Sequence, residues 1–279
     1  MQVLAAAIQM PATPGNVREN LDRADAWLSH AHRAGVELAV LPEMFNTGYG
    51  LIPDYAPLSE GRDGPTIRHL ANRVREWGMT IAAGFVERSG RHLHNSLAFL
   101  NPGRPVAVYR KRNLVFWEGY RFRSGRSPVI VDTPWGRAGL AICADMIYRG
   151  VWEEYRGQID LAIVASAWPE FACQQSQRRH WLLGHVGPLS GKIPAQVAAD
   201  LGVPVVFANQ CGPTSTAIPL LGSRIRDRFA GRSSVCDGRE AAPVVAGVEE
   251  GVVISALTVH PATKGKVPCR TTSPSASAA

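Results

Sequence analysis

The chain has 279 residues, of which 46% are hydrophobic, and a formal net charge of +7 at pH 7. This length and apolar fraction suit one large domain, and no apolar run approaches the roughly 20 residues of a membrane-spanning helix. The five cysteines are scattered and form neither a disulfide framework nor a paired metal-binding motif, so we expect a soluble protein of the reducing cytoplasm. The basic clusters at 121–123 and 224–228 are short and lack a recognition motif, so the charge predicts neither nucleic acid nor membrane as a partner.

The first part of the chain alternates strand and helix. An apolar run over residues 1–10 predicts a first strand, and Asn16 is a suitable N-cap for a helix with apolar residues at helical spacing over 17–31. The run over 36–41 predicts a buried strand and places Glu43 just beyond its carboxyl end, where open α/β sheets build their sites. A second helix is predicted over 65–77.

Short apolar runs separated by turn residues predict strands through the rest of the chain. These predicted strands are 80–86, 95–100, 106–109, 129–132, 138–142, 161–165, 203–208, 233–235, 243–246 and 252–259. Helices are predicted near 151–155 and over 174–201, and glycines at 187 and 191 interrupt the second of these. This mixture of strands and helices predicts an α/β fold.

Three of the predicted strands end at residues that can carry chemistry. Glu43 follows the strand 36–41, Lys111 follows 106–109, and Cys143 follows 138–142. A thiol on a sharp turn can attack a carbonyl or nitrile carbon, a carboxylate can move its proton, and an ammonium can stabilise the developing oxyanion. Each residue alone also has a plainer interpretation as a buried thiol, a loop carboxylate or a solvated charge.

The order of the motifs around these residues resembles the nitrilase superfamily, the carbon–nitrogen hydrolases that use a Glu-Lys-Cys triad. The motifs are Ala7-Ile8-Gln9, Leu41-Pro42-Glu43, Thr47-Gly48-Tyr49, Tyr109-Arg110-Lys111, Ile142-Cys143-Ala144-Asp145, Ala208-Asn209-Gln210 and Gly231-Arg232-Ser233. The resemblance implies a four-layer α-β-β-α sandwich with two mixed β-sheets. It further implies one domain over residues 1–262, a tail over 263–279 that is flexible or at a subunit interface, and a homodimer or higher homo-oligomer.

The resemblance also implies roles for individual residues. Cys143 is the nucleophile and Glu43 the general acid and base, while Lys111 and the Ala144 N–H stabilise the oxyanion. Glu118 is a second glutamate that orients Lys111 or touches the substrate nitrogen, unless it is a surface carboxylate. The implied substrate-binding residues are Tyr49, Ala144, Met146, Ile147 and Trp168, although core packing explains Met146 and Ile147 equally well. Neither a cofactor nor a metal is expected, because no phosphate-cradling glycine loop or complete ligand set is present.

Two departures from the family pattern bear on the substrate. Many relatives that act on carboxylate-bearing substrates have an arginine a few residues after the nucleophile, whereas positions 146–148 here are Met, Ile and Tyr. The absence of an arginine there favours a small neutral amide as the substrate. Arg149 is close in sequence, so a substrate that carries a carboxylate is the alternative. Ala144-Asp145 is typical of the amidase side, since nitrilase-type members commonly have Trp-Glu there.

The segment 174–194 matches the family poorly and is predicted to shape the substrate site or an oligomer contact.

The leading hypothesis is therefore a thiol amidohydrolase that cleaves a small amide through a Cys143 thioester and releases ammonia. The alternatives are a nitrilase, an N-carbamoyl amidohydrolase, an acyl transferase, or a nitrilase-fold scaffold without turnover.

Overall fold

The computed structural model describes residues 1–50, 52–115, 117–170, 186–217, 224–238 and 243–261. Within these ranges, two six-stranded mixed sheets lie face to face and share a buried apolar cluster. Both sheets combine parallel and antiparallel pairs, so each has strands that end at the same edge.

The first sheet has three parallel strands at its centre. It consists of β1 (Gln2–Gln9), β2 (Leu38–Val40), β3 (Thr80–Ser89), β4 (His92–Leu100), β5 (Ala107–Arg110) and β14 (Gly251–Thr258), in the spatial order β14-β1-β2-β3-β4-β5. Side chains along β1 alternate between the two faces of this sheet: Val3, Ala5 and Ala7 pack toward the second sheet, while Ala6 and Ile8 pack toward helices. Both faces are therefore buried, which explains the nearly continuous apolar sequence of β1.

The second sheet repeats this plan. It consists of β6 (Ile130–Thr133), β7 (Gly136–Ile142), β8 (Leu161–Ser166), β9 (Val205–Asn209), β12 (Ser234–Cys236) and β13 (Val244–Val245), in the order β13-β12-β9-β8-β7-β6. The strands β7, β8 and β9 run parallel to one another.

The α-helices of the described ranges are α1 (Val17–Arg33), α2 (Pro65–Trp77), α3 (Glu118–Arg121), α4 (Arg149–Tyr155), α5 (Val186–Leu189) and α6 (Ile193–Leu201). Of these, α1, α2, α4 and α6 cover the outer faces of the sheets. The side chain of Asn16 accepts the Glu19 N–H and caps α1, as predicted. The first sheet packs against α1 and α2, and the second packs against α4 and α6. The expected four-layer α-β-β-α sandwich with two mixed sheets is thus confirmed.

The strand directions bring the candidate catalytic residues to one edge of the sandwich. In the first sheet, β2 and β5 both end at the edge where Glu43 and Lys111 follow. In the second sheet, β7 ends directly before Cys143 and β8 ends at Ser166. Hydrogen bonds join the residues of the two edges, such as the one from the Ala167 N–H after β8 to the Glu43 carboxylate, so the candidate site lies between the sheets at their carboxyl ends.

Some elements differ from the sequence-based expectations. The hairpin of β10 (Pro213–Ala217) and β11 (Arg224–Arg228) was not predicted, because polar residues and arginines dominate these strands. Helix α3 is a single turn and too short to produce a periodic apolar pattern. The predicted helix over 174–201 is described only from residue 186, where it consists of α5 and α6.

Two sequence predictions concern residues beyond the described ranges. The tail 263–279 lies outside them, as does most of the segment 174–194. In the part of the chain that is described, no helix combines the length and apolar character needed to cross a membrane.

Candidate active site

Lys111 lies between two glutamates in the interior of the sandwich. Its Nζ is 2.8 Å from Glu43 Oε1 and 2.9 Å from Glu118, and all three residues have 0% of their surface exposed. Burial opposes the charged ammonium, but the negative charges of Glu118 and Glu43 outweigh it and raise the pKa of Lys111 well above its ordinary value. Lys111 is therefore a fixed cation. Glu118 is buried beside it, and this excludes the interpretation of Glu118 as a surface carboxylate.

Asn95 holds the two glutamates together and was missed in the sequence. It lies near the start of β4, and its Nδ2 donates to Glu43 Oε1 at 2.6 Å and to Glu118 Oε1 at 2.7 Å. The Asn95 backbone carbonyl also accepts the Lys111 N–H at 2.8 Å. One residue thus fixes both carboxylates and the lysine backbone. An isolated asparagine in an apolar strand gives no sequence signal for such a role.

Glu43 is anchored from both sheets. Its Oε2 accepts the Ala167 N–H at 2.7 Å, and its backbone carbonyl accepts Gln210 Nε2 at 2.8 Å. The loop that carries Glu43 passes directly over β3 at Gly84, where an added Cβ would lie 2.5 Å from the Glu43 Cα. The close approach therefore requires glycine at this position.

Cys143 begins a short 3₁₀ turn, residues Cys143–Ile147, directly after β7. Its φ of 47° lies in the left-handed region that non-glycine residues seldom adopt. Such strain costs on the order of 1–3 kcal/mol and persists where the surrounding structure enforces it. Cys143 retains 6% of its surface exposed, so this member of the cluster reaches toward solvent.

Asp145 enforces this turn, a role that its place in the sequence does not indicate. Its carboxylate accepts the Ile142 N–H, the Tyr109 hydroxyl at 2.8 Å, and both the backbone and side-chain N–H of Asn113. The carboxylate is buried and connects β5, the loop after it and the turn of the nucleophile. Asp145 thus fixes the position of Cys143 relative to Lys111.

The electrostatic environment of the Cys143 thiol keeps it protonated at rest. Burial, together with the negative charge of Glu43, raises the pKa of the thiol to about 12, although the Lys111 charge and the neighbouring Ser166 hydroxyl oppose this rise. A thiol in this state needs a base to accept its proton when it attacks. The arrangement as a whole can activate a thiol and stabilise a developing oxyanion.

Aromatic residues surround the polar cluster on one side. The Tyr49 ring centroid lies 5.8 Å from Lys111 Nζ and 5.0 Å from the Trp117 ring centroid, and Phe229 packs edge-on at 6.3 Å. Trp168 is 5% exposed and follows β8, where its backbone N–H donates to Asn209 Oδ1 at 2.7 Å. The structure therefore places Tyr49 against the lysine and Trp168 directly after Ala167.

Met146 and Ile147 lie elsewhere. With Arg149, Trp152 and residues of α6, they line a cavity of about 430 Å³ on the helix side of the second sheet. Met146 is buried in the core cluster, whereas 54% of Ile147 is exposed. Neither the glutamates nor Lys111 line this cavity. Substrate contact by these two residues stays a prediction, while the packing of Met146 matches the core alternative.

The chain matches the family model of carbon-nitrogen hydrolases over residues 4–239. It is 29% identical over 150 residues to a nitrilase from Pyrococcus abyssi, covering 52% of this chain and 57% of that protein. It is 31% identical over 150 residues to omega-amidase NIT2 from Bos taurus, covering 49% of this chain and 53% of that protein. The aligned part thus spans about half the length of these curated relatives.

Solved structures show the same fold. The crystal structure of an amidase from Nesterenkonia sp. superposes with a TM-score of 0.74 at 21% identity, covering 92% of this chain and 90% of that one. The family match extends over most of the chain and includes Glu43, Lys111, Glu118 and Cys143. The resemblance to the nitrilase superfamily is confirmed, and the chain belongs to the carbon-nitrogen hydrolase family.

Proposed function

We propose that this carbon–nitrogen hydrolase cleaves a small neutral amide through a thioester at Cys143 and releases ammonia. The observation that supports the proposal best is the buried Lys111, which is held between Glu43 and Glu118 and acts electrostatically on the Cys143 thiol. This group supplies a nucleophile, a base that also serves as an acid, and a fixed positive charge.

The first half of the reaction forms the thioester. Glu43 takes the thiol proton as the Cys143 sulfur attacks the carbonyl carbon, and the carbonyl π electrons move onto oxygen. Lys111 and the Ala144 N–H stabilise this oxyanion. When the tetrahedral intermediate collapses, the C–N bond breaks, and Glu43 returns the proton to the nitrogen, which leaves as ammonia.

The second half restores the enzyme. Glu43 takes a proton from water, the hydroxide oxygen attacks the thioester carbon, and the C–S bond breaks as the carboxylic acid product forms. The proton on Glu43 returns to the sulfur. In this scheme Glu118 positions the Lys111 ammonium, from which it accepts a hydrogen bond. Asn95 positions both carboxylates, since its amide donates to Glu43 and to Glu118.

A neutral substrate is supported by the charges around the cluster. Arg149, the cation that left an acidic substrate open, has 87% of its side chain exposed and pairs with Glu153 on the surface of α4. Amide chemistry is supported by the relatives, since omega-amidase NIT2 from Bos taurus is one of them. A nitrile is the second candidate substrate, because a relative from Pyrococcus abyssi is a nitrilase.

The test is ammonia release from neutral amides, carboxylate-bearing amides, N-carbamoyl compounds and nitriles, with Cys143→Ala and Glu43→Gln run beside the wild type. We expect activity with neutral amides and a loss of at least roughly a hundredfold in either variant. Hydroxamate formation on addition of hydroxylamine would indicate acyl transfer to an amine. Full activity in Cys143→Ala, or no turnover of any compound in the panel, would reject the proposal.

A further inference from the structure

A second concave site lies on the outer face of the first sheet. The groove has a volume of about 650 Å³, and three separate segments form its walls: the β3–β4 turn, the end of β5 and the loop after α3. Its positively charged and titratable lining residues are Arg91, His92, His94, Arg110, Arg123 and Arg126. The two serines Ser89 and Ser124 add hydroxyl groups.

Most of the positive charge in this groove has no counter-charge. Arg110 is paired with Glu87, which is 1% exposed and also binds Arg62. Arg91, Arg123 and Arg126 are exposed, and within the described ranges no carboxylate lies within ion-pair distance of them. An arginine cluster of this kind lowers the energy of an anion placed among the guanidinium groups.

The groove is separate from the candidate active site. Successive residues of a strand point to opposite faces of the sheet. Asn95 therefore faces Glu43 on the inner side, while the preceding His94 lines the groove on the outer side. The same alternation places Lys111 inside and Arg110 in the groove.

The backbone of the groove is held in place. The Arg123 N–H donates to the Leu93 carbonyl at 2.8 Å, and His94 Nδ1 donates to the Arg123 carbonyl at 2.8 Å. Gly125 lies so close to the preceding strand that an added Cβ would be 2.1 Å from the Arg110 carbonyl oxygen. The arginines thus extend from a preformed support, so binding needs little backbone ordering.

We propose that this groove binds a small molecule that carries phosphate groups. Guanidinium groups match phosphate oxygens in a bidentate geometry, and serine hydroxyls add further donors. The volume suits a small ligand. Among the described residues that line the groove, the rings are imidazoles only, so there is no platform on which successive bases of a nucleic acid would stack.

The test uses inorganic pyrophosphate as the probe, titrated calorimetrically at low ionic strength so that charge interactions are not screened. The variant is Arg91→Gln/Arg123→Gln. The matched control is Arg18→Gln/Arg104→Gln, which removes the same charge from exposed arginines on α1 and on the β4–β5 turn. We expect saturable binding to the wild type, at least roughly tenfold weaker binding to the groove variant, and a change below about twofold in the control.

Two further measurements distinguish the groove from other anion sites. Pyrophosphate should bind Cys143→Ala as it binds the wild type, and it should not compete with the amide substrate. Competition with the amide would place the anion at Lys111 and overturn the proposal.

In the titration of the variants, equally weakened binding to the groove variant and the control variant would show that only net charge matters, and would overturn the proposal. Binding of a polyglutamate peptide without any binding of pyrophosphate would point to an acidic protein segment instead, and would likewise overturn it.

Discussion

The charges of Glu43 and Lys111 act on the Cys143 thiol in opposite directions. The negative charge of Glu43 raises the pKa of the thiol and the positive charge of Lys111 lowers it, while burial makes the largest contribution and sets the value at about 12. Removing one neighbour at a time therefore separates the two effects, because each substitution shifts the titration of the same sulfur in a known direction.

We expect Glu43→Gln to lower the pKa of Cys143 and Lys111→Met to raise it. The rate of iodoacetamide alkylation of Cys143, measured against pH, checks this, since only the thiolate reacts. In the wild type the rate should climb with pH without a plateau near neutral pH. In Glu43→Gln the rise should begin at lower pH, and in Lys111→Met at higher pH. Coincident profiles for the three proteins would contradict the electrostatic account.

Asn95 should act on turnover through the residues that it positions. Because its amide donates to both carboxylates, Asn95→Ala removes two hydrogen bonds to charged groups, each worth about 1.5–3 kcal/mol. We expect kcat to fall by roughly ten- to a hundredfold with a smaller change in KM. Asn95→Asp should be at least as damaging, because it adds a third negative charge beside the two glutamates.

The matched control for Asn95 is Asn101, which follows the other end of β4. Its side chain accepts from Thr80 and donates to the Asp132 carbonyl, and neither partner belongs to the candidate site. Asn101→Ala should lower the thermal midpoint while leaving kcat within about twofold. A kcat of Asn95→Ala that is no lower than that of Asn101→Ala would contradict a positioning role for Asn95.

At the residue scale, the sequence was informative where a side chain ends a strand in a family motif. Glu43, Lys111 and Cys143 each follow an apolar run, and the structure brings Glu43 and Lys111 into direct contact. Asn95 and Tyr109 contribute through their position in a strand, and a strand pattern does not indicate which long-range partner a side chain meets. Met146 and Ile147 follow the nucleophile in sequence, and after the 3₁₀ turn they line a cavity to which neither Glu43 nor Lys111 contributes.

At the element scale, close packing of β3 against the loop of Glu43 depends on Gly84. A Cβ at this position would lie 2.7 Å from the Pro42 carbonyl oxygen and 2.8 Å from the Met44 nitrogen, so backbone must move to admit it. We expect Gly84→Ala to destabilise the protein by about 1–3 kcal/mol and to lower kcat by displacing Glu43. Chemical denaturation and ammonia release measure the two effects.

Gly150 in α4 provides the control for Gly84. An added Cβ there has no atom within 4 Å, and alanine favours a helix over glycine by roughly 0.5–1 kcal/mol. Gly150→Ala should therefore be neutral or slightly stabilising and fully active. If Gly84→Ala behaves in the same way, the close approach does not constrain the position of Glu43.

Elements with strong apolar periodicity were predictable from sequence, and short polar elements were not. Helix α1 is predicted over 17–31 and extends over Val17–Arg33 in the structure. The predicted bounds of α2 agree with the structure at both ends. By contrast, the β10–β11 hairpin has alternating arginines in β11, and α3 spans four residues. The position of α3 depends on long-range contacts, such as the hydrogen bond from Asn95 Nδ2 to Glu118, and these have no local signature in the sequence.

At the scale of the whole molecule, the sandwich shares one apolar interior between its two sheets. Leu38 of β2 and Ile163 of β8 are both fully buried in the cluster that joins the sheets. We therefore propose that residues 1–262 form one domain and unfold as one cooperative unit. Assembly into a homo-oligomer and a cytoplasmic location stay predictions.

Truncating a buried side chain of either sheet should lower the midpoint temperature of the same unfolding transition. Leu38→Ala and Ile163→Ala each remove a large side chain from a close-packed interior, so each should cost about 2–5 kcal/mol. Calorimetry should show a single transition that moves to lower temperature in both variants, with loss of ammonia release at the same midpoint. If the sheets were separate domains, each substitution would shift one transition and leave a second at the wild-type temperature, because no shared interior would transmit the loss.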